Sequence, residues 1–459
     1  MKKYRNSQSA FTLIELVVSC ALIVAILGLL LTSVDQTRRV VSSTTARITQ
    51  FQAARAGFDA MTRNLSQATL NTYWDLDFDP NNGNPVGYRR QSDLHFVSRK
   101  SAQQNAEDQF FASSSSTAQE KQDAADETIY PTHSIFFQAP IGFTATSDPT
   151  VVPLDSSVRQ YRSLSNMLSV LGYYVKWGED LSLPKFILTN AASPDTALVP
   201  RRFRYRLWEV TQPGEAMMVY SNKNYTNIGF DDVGNVKSGT ITPESKFLLA
   251  TDWVRFATGK LPMLDANYAK ILNIPTKQSN DHILADNIIA LIILPKLSER
   301  DRSTPDALND LTDNFEYDSR PKSAFEGQAI KLPLKSPLKN LAAQLTQKQL
   351  KQLHQLPPIL QVTMVAIDEA SAVKLHDYSK ANAYKPPTWF KDLSDAKQLT
   401  TVTNVADFQK QLGDPAAPAP ESLIGRLSNV DGKQQTPKMN YRVFTTDVIL
   451  RNSKWQQIK

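Results

Sequence analysis

The chain has 459 residues, of which 41% are hydrophobic and 21% are charged. This composition excludes a bundle of membrane helices, and the length suits about two to three domains or one domain with large insertions. The net charge is +6, and Lys2, Lys3 and Arg5 supply three of these charges, so the remainder is too weakly basic to indicate a nucleic-acid partner by itself. The single cysteine, Cys20, excludes an intramolecular disulfide and a thiolate metal site.

The N-terminal segment combines a short basic leader with a long apolar run. Residues 16–34 carry no charge and are about long enough to cross a bilayer. A cleaved secretory signal has a similar leader, but this run is too long and no small-x-small cleavage site follows it. A plain membrane anchor accounts for the run and for the basic leader, which stays in the cytoplasm. It does not account for Glu15, because an acid at the head of a membrane segment costs free energy and usually marks function.

The heptapeptide AFTLIEL at residues 10–16 resembles the prepilin motif of type IV pilins and type II secretion pseudopilins. The resemblance implies that a prepilin peptidase cuts between Ala10 and Phe11 and then methylates the new N-terminus at Phe11. It also implies that Glu15 pairs with the N-terminal amine of a neighbouring subunit during assembly. The physical argument agrees, since a carboxylate in lipid is costly alone and an ammonium on a second chain relieves that cost. The family has Gly before the cut; Ala10 is the nearest small residue, so we expect cleavage here too.

Residues 35–70 are predicted to continue the helix beyond the membrane. They contain no Pro and only one Gly, Gly57. Apolar side chains recur at intervals of three, four or seven residues, which predicts one apolar face. That face comprises Val41, Ile48, Phe51, Ala54, Phe58, Met61, Leu65 and Ala68. We expect it to cover the sheet of a globular domain.

The next segment, NTYWDLDFDPNNGNPVG, predicts the turn that ends this helix, because it is rich in Asn, Asp, Pro and Gly. Asp75, Asp77 and Asp79 alternate as in a calcium loop. Pro80 and Val86, however, stand where such a loop needs Gly and Glu. A solvated turn is therefore favoured over a calcium site.

The rest of the chain predicts an α+β head of antiparallel strands with long insertions. Alternating or aromatic-rich runs predict strands at 93–98, 133–140, 171–177, 201–210, 359–368 and 441–452. Helical spacing predicts short helices at 163–173 and 338–356, and a helical turn leading into a buried strand at 284–295. Polar and charged composition predicts a flexible insertion at 101–127 and a surface loop at 296–335.

Three late segments carry a second resemblance. LADNIIALIIL, LPPILQVTMVAID and YRVFTTDVILRN are similar, in this order, to the late strands of the W-type minor pilins and the J-type minor pseudopilins. The closing T-T-V-x-x-R-N pattern falls on Thr445, Thr446, Val448, Arg451 and Asn452. The segments FQAARAGFDAMTRNLSQATLNTYWD, RFRYRLWEV and VTMVAIDEASAVKL are similar to a pilin-like family labelled Verru_Chthon cassette protein C, which the chain most resembles over nearly its full length. These resemblances imply a pilin-like fold, with a long N-terminal helix packed on an antiparallel β-sheet head.

The sequence lacks the common catalytic and cofactor motifs. The five histidines are scattered without metal-ligand spacing, and there is no P-loop, dinucleotide or nucleophile-elbow pattern. Asp368 and Glu369 adjoin at the end of a predicted strand, where neighbours point to opposite sides. We therefore predict that the protein is not an enzyme and that it uses no metal and no cofactor.

One row of basic residues is a candidate basic surface. On a strand, Arg202, Arg204 and Arg206 share one face, and the aromatic and apolar residues between them take the other. Nucleic-acid binding favours aromatic rings beside the basic residues, on the same face. The row therefore predicts a solvated face or a subunit contact, and a nucleic-acid partner is disfavoured.

The sequence predicts four segments: a prepilin leader (1–10), a transmembrane half-helix (11–34), an amphipathic half-helix (35–70) and an extracytoplasmic head (71–459). The expected protein is a minor pseudopilin-like subunit that helps to initiate or tip a type IV pilus or type II secretion-like filament. Its expected partners are prepilin peptidase, other pilin-like subunits and the inner membrane. The N-terminus is expected in the cytoplasm and the head in the periplasm. Two other functions stay open: an anchored binding protein that captures a ligand or DNA, and an anchored enzyme.

The cleavage site gives a direct prediction: the mature chain begins at N-methylated Phe11. Substitution of Ala10→Gly should speed processing and a bulky residue at Ala10 should block it, because the peptidase must approach the backbone closely. Mass spectrometry of the N-terminal peptide measures both. An intact Met1 start in a strain with an active prepilin peptidase would contradict the prediction.

Overall fold

The computed structural model describes residues 13–78, 84–105, 108–112, 116–142, 166–179, 202–212, 229–230, 236–237, 252–258, 281–301, 311–312, 315–320, 347–387, 405–414, 416–417, 419–429 and 438–455. The chain forms two compact units, Met1–Gln52 and Ala53–Lys459. The described part of the first unit is helical throughout. The second unit contains all of the described strands.

Helices and strands alternate irregularly along the second unit. The described helices are α1 (Leu13–Leu65), α2 (Ala118–Ala125), α3 (Asp252–Ala257), α4 (Gln347–Gln352), α5 (Glu369–Ala381), α6 (Val405–Leu412) and α7 (Leu423–Ser428). The described strands are β1 (Thr72–Phe78), β2 (Pro85–Ser92), β3 (Val97–Lys100), β4 (His133–Pro140), β5 (Leu168–Glu179), β6 (Phe203–Gln212), β7 (Gly229–Phe230), β8 (Val236–Lys237), β9 (Asp281–Asp286), β10 (Ile288–Lys296), β11 (Tyr317–Asp318), β12 (Ile359–Ile367) and β13 (Tyr441–Ile449).

Helix α1 is continuous over 53 residues. In the second unit its last turns bury the predicted apolar face, at Ala54, Phe58, Met61 and Leu65. The helix approaches β9 closely at Gly57, where an added Cβ would lie 3.3 Å from the Ala285 Cβ. The apolar face is therefore confirmed for the residues after position 53. Farther back, in the first unit, Val41 and Ile48 are exposed.

Two antiparallel sheets form the centre of the second unit. Six strands run in the order β11-β3-β4-β5-β6-β9, and three run in the order β10-β12-β13. Strand β10 is buried along eight of its nine residues, as its continuous apolar run predicts. The long N-terminal helix and the antiparallel sheets confirm the α+β class.

The two sheets meet at β10, which contacts β4, β5 and β6. Its neighbour within the three-stranded sheet is β12, so its other edge needs partners for its backbone. The Leu291 N–H donates to Thr132 Oγ1 at 2.9 Å, and the Ile293 N–H donates to His133 Nδ1 at 3.0 Å. Side chains at the start of β4 thus close the edge of β10.

Several predicted elements are confirmed and others are corrected. Strand β4 has the predicted bounds, and β6, β12 and β13 lie within two or three residues of theirs. The helix predicted at 163–173 is wrong, because residues 168–173 belong to β5. The turn predicted after the long helix is instead the hairpin of β1 and β2, with Leu76 opposite Tyr88. The helical turn predicted before β10 is strand β9, followed by Asn287 at φ 61°.

The described parts of two predicted loops also prove to be packed. The segment predicted as a flexible insertion contains α2 and buries Phe110 and Phe111. The segment predicted as a surface loop contains β11 and buries Phe315 and Tyr317. A few aromatic residues within polar sequence are enough to fold these segments onto the sheet.

The His133 contact predicts a pH dependence of stability. Burial lowers the pKa of His133 to about 3, so the folded protein holds this ring neutral while the unfolded chain takes up a proton below about pH 6.5. The unfolded state then binds more protons than the folded state. Each unit by which the pH falls from about 6 to about 3 should therefore lower the free energy of unfolding by about 1.4 kcal/mol. Denaturant unfolding of the full chain in detergent measures this slope.

Two variants distinguish the hydrogen bond from Ile293 to His133 from the protonation of the His133 ring. His133→Asn can place an amide oxygen near the position of Nδ1, so it should keep the bond from Ile293 and flatten the slope. His133→Ala leaves that buried N–H without an acceptor and should cost about 1–3 kcal/mol at pH 7. An unchanged pH slope in His133→Asn would contradict the assignment.

Candidate functional site

The N-terminal half of α1 carries the predicted assembly residue. Glu15 lies in the first turn and is exposed, and the Ser19 hydroxyl donates to its backbone carbonyl at 2.7 Å. Around it the large apolar side chains from Leu13 to Val34 are exposed as well. This helix is long and apolar enough to span a membrane. The predicted cleavage residues, Ala10 and Phe11, lie outside the described residues.

The carboxylate of Glu15 can interact favourably with positive charge. The helix N-terminus favours a negative charge in its first turn, which partly offsets the cost of placing Glu15 next to lipid. A carboxylate in an apolar setting is stabilised by a nearby cation. Cys20, the single thiol, is exposed on the same helix one turn and a half further on.

At its other end α1 is held by polar contacts to the six-stranded sheet. Asn64 Nδ2 donates to the Tyr173 hydroxyl at 2.9 Å, and that hydroxyl donates to Glu209 Oε1 at 2.6 Å. Burial, and then the charge of Glu209, raise the pKa of Tyr173 well above its usual value, so the hydroxyl keeps its proton. His282 Nε2 lies 3.0 Å from the second carboxylate oxygen of Glu209. This cluster fixes the helix end against β5, β6 and β9.

Residues near the end of the described chain also form hydrogen bonds with the C-terminal end of α1. The Arg451 N–H donates to the Ser66 carbonyl at 3.3 Å, and Asn452 Nδ2 donates to the Ala68 carbonyl at 3.2 Å. Carbonyls at a helix C-terminus have no partner within the helix, so these donors satisfy groups that would otherwise need water. The last two residues of the T-T-V-x-x-R-N pattern therefore have a structural role at the end of the helix.

The arginine row of β6 is not a basic surface. Arg202 is exposed, but Arg204 is only 9% exposed and Arg206 only 1%. Arg204 donates to both carboxylate oxygens of Glu369 at 3.0 and 3.1 Å, and Arg206 Nε donates to Asp286 at 2.8 Å. The prediction of a solvated basic face is therefore wrong.

Arg204 is buried because a helix covers this face of β6, and the alternation of residues along the strand does not show that helix. Helix α5 packs on β6, and Glu369 in its first turn meets Arg204. Glu369 also accepts from Asn287 Nδ2 at 2.9 Å, which ties the β9–β10 junction to the same carboxylate. Its neighbour Asp368 caps α5 by accepting from the Ser371 N–H at 2.8 Å. Both acids thus hold structure together at this point.

The histidines have separate structural partners. His95 Nε2 lies 2.6 Å from Asp318 Oδ1, and the indole of Trp253 donates to His95 Nδ1 at 2.8 Å. Although burial alone would raise the pKa of Asp318, His95 and then Arg99 lower it below its usual value. Because the Trp253 N–H occupies the second ring nitrogen, His95 has no free nitrogen with which to activate a nucleophile.

The acidic residues of the hairpin do not form the loop that a calcium site would need. Asp75 and Asp77 belong to the regular part of β1, opposite Arg89 and Gly87. Asp79 lies outside the described residues. Within the described ranges, no group of three or more histidine, cysteine, aspartate or glutamate side chains could hold a metal ion.

No protein-family model matches this chain, and no curated protein or solved structure matches it significantly.

The ion pairs at β6 give a prediction with a built-in control. Arg204→Ala removes two charge-assisted hydrogen bonds to Glu369 and should lower the free energy of unfolding by on the order of 2–3 kcal/mol. Arg202→Ala removes an exposed contact at 3.5 Å and should change it by less than about 0.5 kcal/mol. Denaturant unfolding of the two variants measures the difference. Equal effects would mean that burial does not distinguish these arginines.

Proposed function

We propose that this chain is a minor pseudopilin-like subunit that helps to initiate or tip a type IV pilus or type II secretion-like filament after cleavage by prepilin peptidase. The supporting observation is the division of α1 into two kinds of surface. Its first half exposes apolar side chains with one carboxylate, Glu15, and its last turns are buried in a folded α+β unit. The AFTLIEL motif stands at the start of this helix.

The division suits a protein that is held in the membrane and passed into a polymer. The basic leader favours a cytoplasmic N-terminus and a periplasmic head, because positive residues stay in the cytoplasm. After cleavage, the new ammonium of one subunit meets Glu15 of another, and the pair forms where lipid makes each charge costly alone. In this proposal the protein is the substrate of an enzyme and performs no catalysis itself.

One observation favours a second candidate, an anchored binding protein. The β1–β2 hairpin exposes a row of apolar side chains, with Trp74 at 52% and Tyr88 at 73% exposure. Leu76 lies opposite Tyr88, and the Arg90 guanidinium lies over the Trp74 ring at 5.2 Å. Exposed aromatic residues grouped in this way often mark a binding surface. A ligand-capturing head that uses α1 only as its anchor would have such a surface.

The two candidates differ in what they require of Glu15. Glu15→Gln keeps the size of the side chain and removes its charge, so membrane insertion should be as good or better. The filament subunit should lose recovery of other pilin-like subunits, because the partner of their N-terminal ammonium is gone. The plain anchor should show no change. Pull-downs of a tagged full-length chain from crosslinked membranes, with mass spectrometry of the captured proteins, measure the recovery.

Asp35→Asn provides the matched control. Asp35 is an exposed acid on the same helix, paired with Arg39 at 2.7 Å one turn further on. Removing its charge alters an ordinary surface pair and should leave recovery of the subunits unchanged. If Glu15→Gln and wild type recover equal amounts of proteins that carry a prepilin motif, Glu15 has no role in assembly and the filament proposal fails.

A further inference from the structure

Strand β13 forms one edge of the three-stranded sheet. It pairs with β12 from Tyr441 opposite Ile367 to Ile449 opposite Ile359, without a shift of register. The described part of the chain places no strand on its other side. A nine-residue strand at the margin of a sheet is long, since strands are typically about 5–6 residues.

The hydrogen bonds at the two ends of the β12–β13 pair show which backbone groups face outward. The Leu450 N–H donates to the Pro358 carbonyl, and the Asp368 N–H donates to the Asn440 carbonyl, both at 3.1 Å. Even-numbered residues of β13 therefore point their backbone groups toward β12. Odd-numbered residues point theirs outward: Tyr441, Val443, Thr445, Asp447 and Ile449. Within the described ranges, none of these five N–H groups has an acceptor.

Among the described residues, two other sheet edges are less suited to pairing than the edge of β13. Thr132 and His133 fill the edge of β10, as described above. Strand β9 has a register shift against β6 and carries Asp281, His282 and Asp286, which disfavour pairing with another chain. Strand β13 carries the charged residues Arg442 and Asp447, but it has no proline, glycine, lysine or bulge. Proteins commonly use proline, lysine and bulges to keep an edge from pairing with another chain, so β13 lacks the main devices that would prevent pairing.

The chemistry of the edge identifies the kind of partner. Five N–H and five C=O groups lie in one row and repeat every two residues, about 6.8 Å apart. An extended polypeptide backbone presents acceptors and donors with the same repeat. A helix, a lipid or a sugar does not. Beside this row Ile449 is 68% exposed, and Thr445 and Asp447 are exposed too, so the added strand would meet short or β-branched side chains.

We propose that the outer edge of β13 receives an extended strand of a neighbouring pilin-like subunit, which continues the β10-β12-β13 sheet. This inference rests on the proposed function, because that function supplies a neighbouring subunit. It adds a contact that the prepilin motif does not contain. The added strand spans about nine residues and satisfies the five outward pairs of backbone groups of β13.

A proline substitution in the middle of the strand tests the edge. Thr445→Pro removes one outward N–H and leaves the bonds to β12 intact, which is the setting in which an edge strand tolerates proline. Thr445→Val keeps that N–H while losing the same hydroxyl contact, which lies 3.2 Å from Thr363 Oγ1. The tagged full-length chain is recovered from crosslinked membranes in each case. Thr445→Pro should recover at least about tenfold less of the proteins that carry a prepilin motif, and Thr445→Val should match wild type.

Hydrogen exchange of the wild-type chain gives a second measurement that requires no variant. In the assembled state the amides of Val443, Thr445 and Asp447 should exchange slowly. After dispersal in detergent they should exchange rapidly, while the Thr446 amide, which bonds to β12, stays slow in both states. If the outward amides are already protected after dispersal, the chain covers its own edge and the proposal is overturned. If they exchange equally fast in both states, the edge is unoccupied and the proposal is overturned as well.

The outcomes separate this inference from the function on which it rests. If recovery of subunits depends on Glu15 but is the same for Thr445→Pro and wild type, the filament subunit stands and the edge contact is wrong. If recovery does not depend on Glu15, the proposed function itself fails. If Thr445→Pro does not accumulate, the wild-type exchange measurement decides.

Discussion

The constraint on which the structure depends is that one helix must satisfy two environments. Before about residue 35, α1 exposes Leu, Ile and Val side chains that each cost roughly 1.5–3 kcal/mol to leave in water, so this half requires lipid or other apolar helices around it. After residue 53 the same helix fills the core of the second unit with Phe58, Met61 and Leu65. A continuous helix meets both demands without a loop, because its backbone groups are bonded internally along its length.

The second unit is organised around the end of that helix. Asn64 is bound to Tyr173 and Glu209, and the carbonyls of Ser66 and Ala68 are bound by residues near the other end of the described chain. The Asn452–Ala68 contact joins residues 384 positions apart. Contacts of such long range close late, since the entropy of the loop must be overcome first. The fold therefore has to bring its first and last elements together before the helix end is secured.

The sequence predicts a strand well when its pattern of apolar residues directly reflects which of its side chains are buried. The apolar run of β10 and the alternation of β12 and β13 reflect burial directly, and their bounds agree closely. The row of Arg204 and Arg206 shows why other features could not be predicted. A two-residue period shows which side chains share a face, but it does not distinguish a face open to water from one covered by a helix that carries Glu369.

The segments that were predicted as loops show a second reason why the sequence did not reveal burial. Residues 101–127 are polar on average, yet Phe111 stacks on Tyr130 with ring centroids 4.1 Å apart, and Phe110 lies under the Arg99 guanidinium. Average composition conceals single aromatic residues, and each of these buries enough area to outweigh the entropy of ordering several neighbours. The one sequence signal was the pair of adjacent phenylalanines within a run of small and polar residues.

The described residues contain polar groups that serve two different purposes. One kind is bound within the second unit: Asn64 donates to Tyr173, the Ile293 N–H donates to His133, and Arg204 donates to Glu369. Glu15 and the outer edge of β13 are suited to a second chain, because a carboxylate gains from a cation and a strand edge from an extended backbone, and another chain can supply both. In the proposed subunit each contact alone is modest. Two contacts made by the same neighbour multiply, because the first raises the effective concentration for the second. A subunit built in this way stays dispersed at low density in the membrane and assembles sharply once its partners are concentrated.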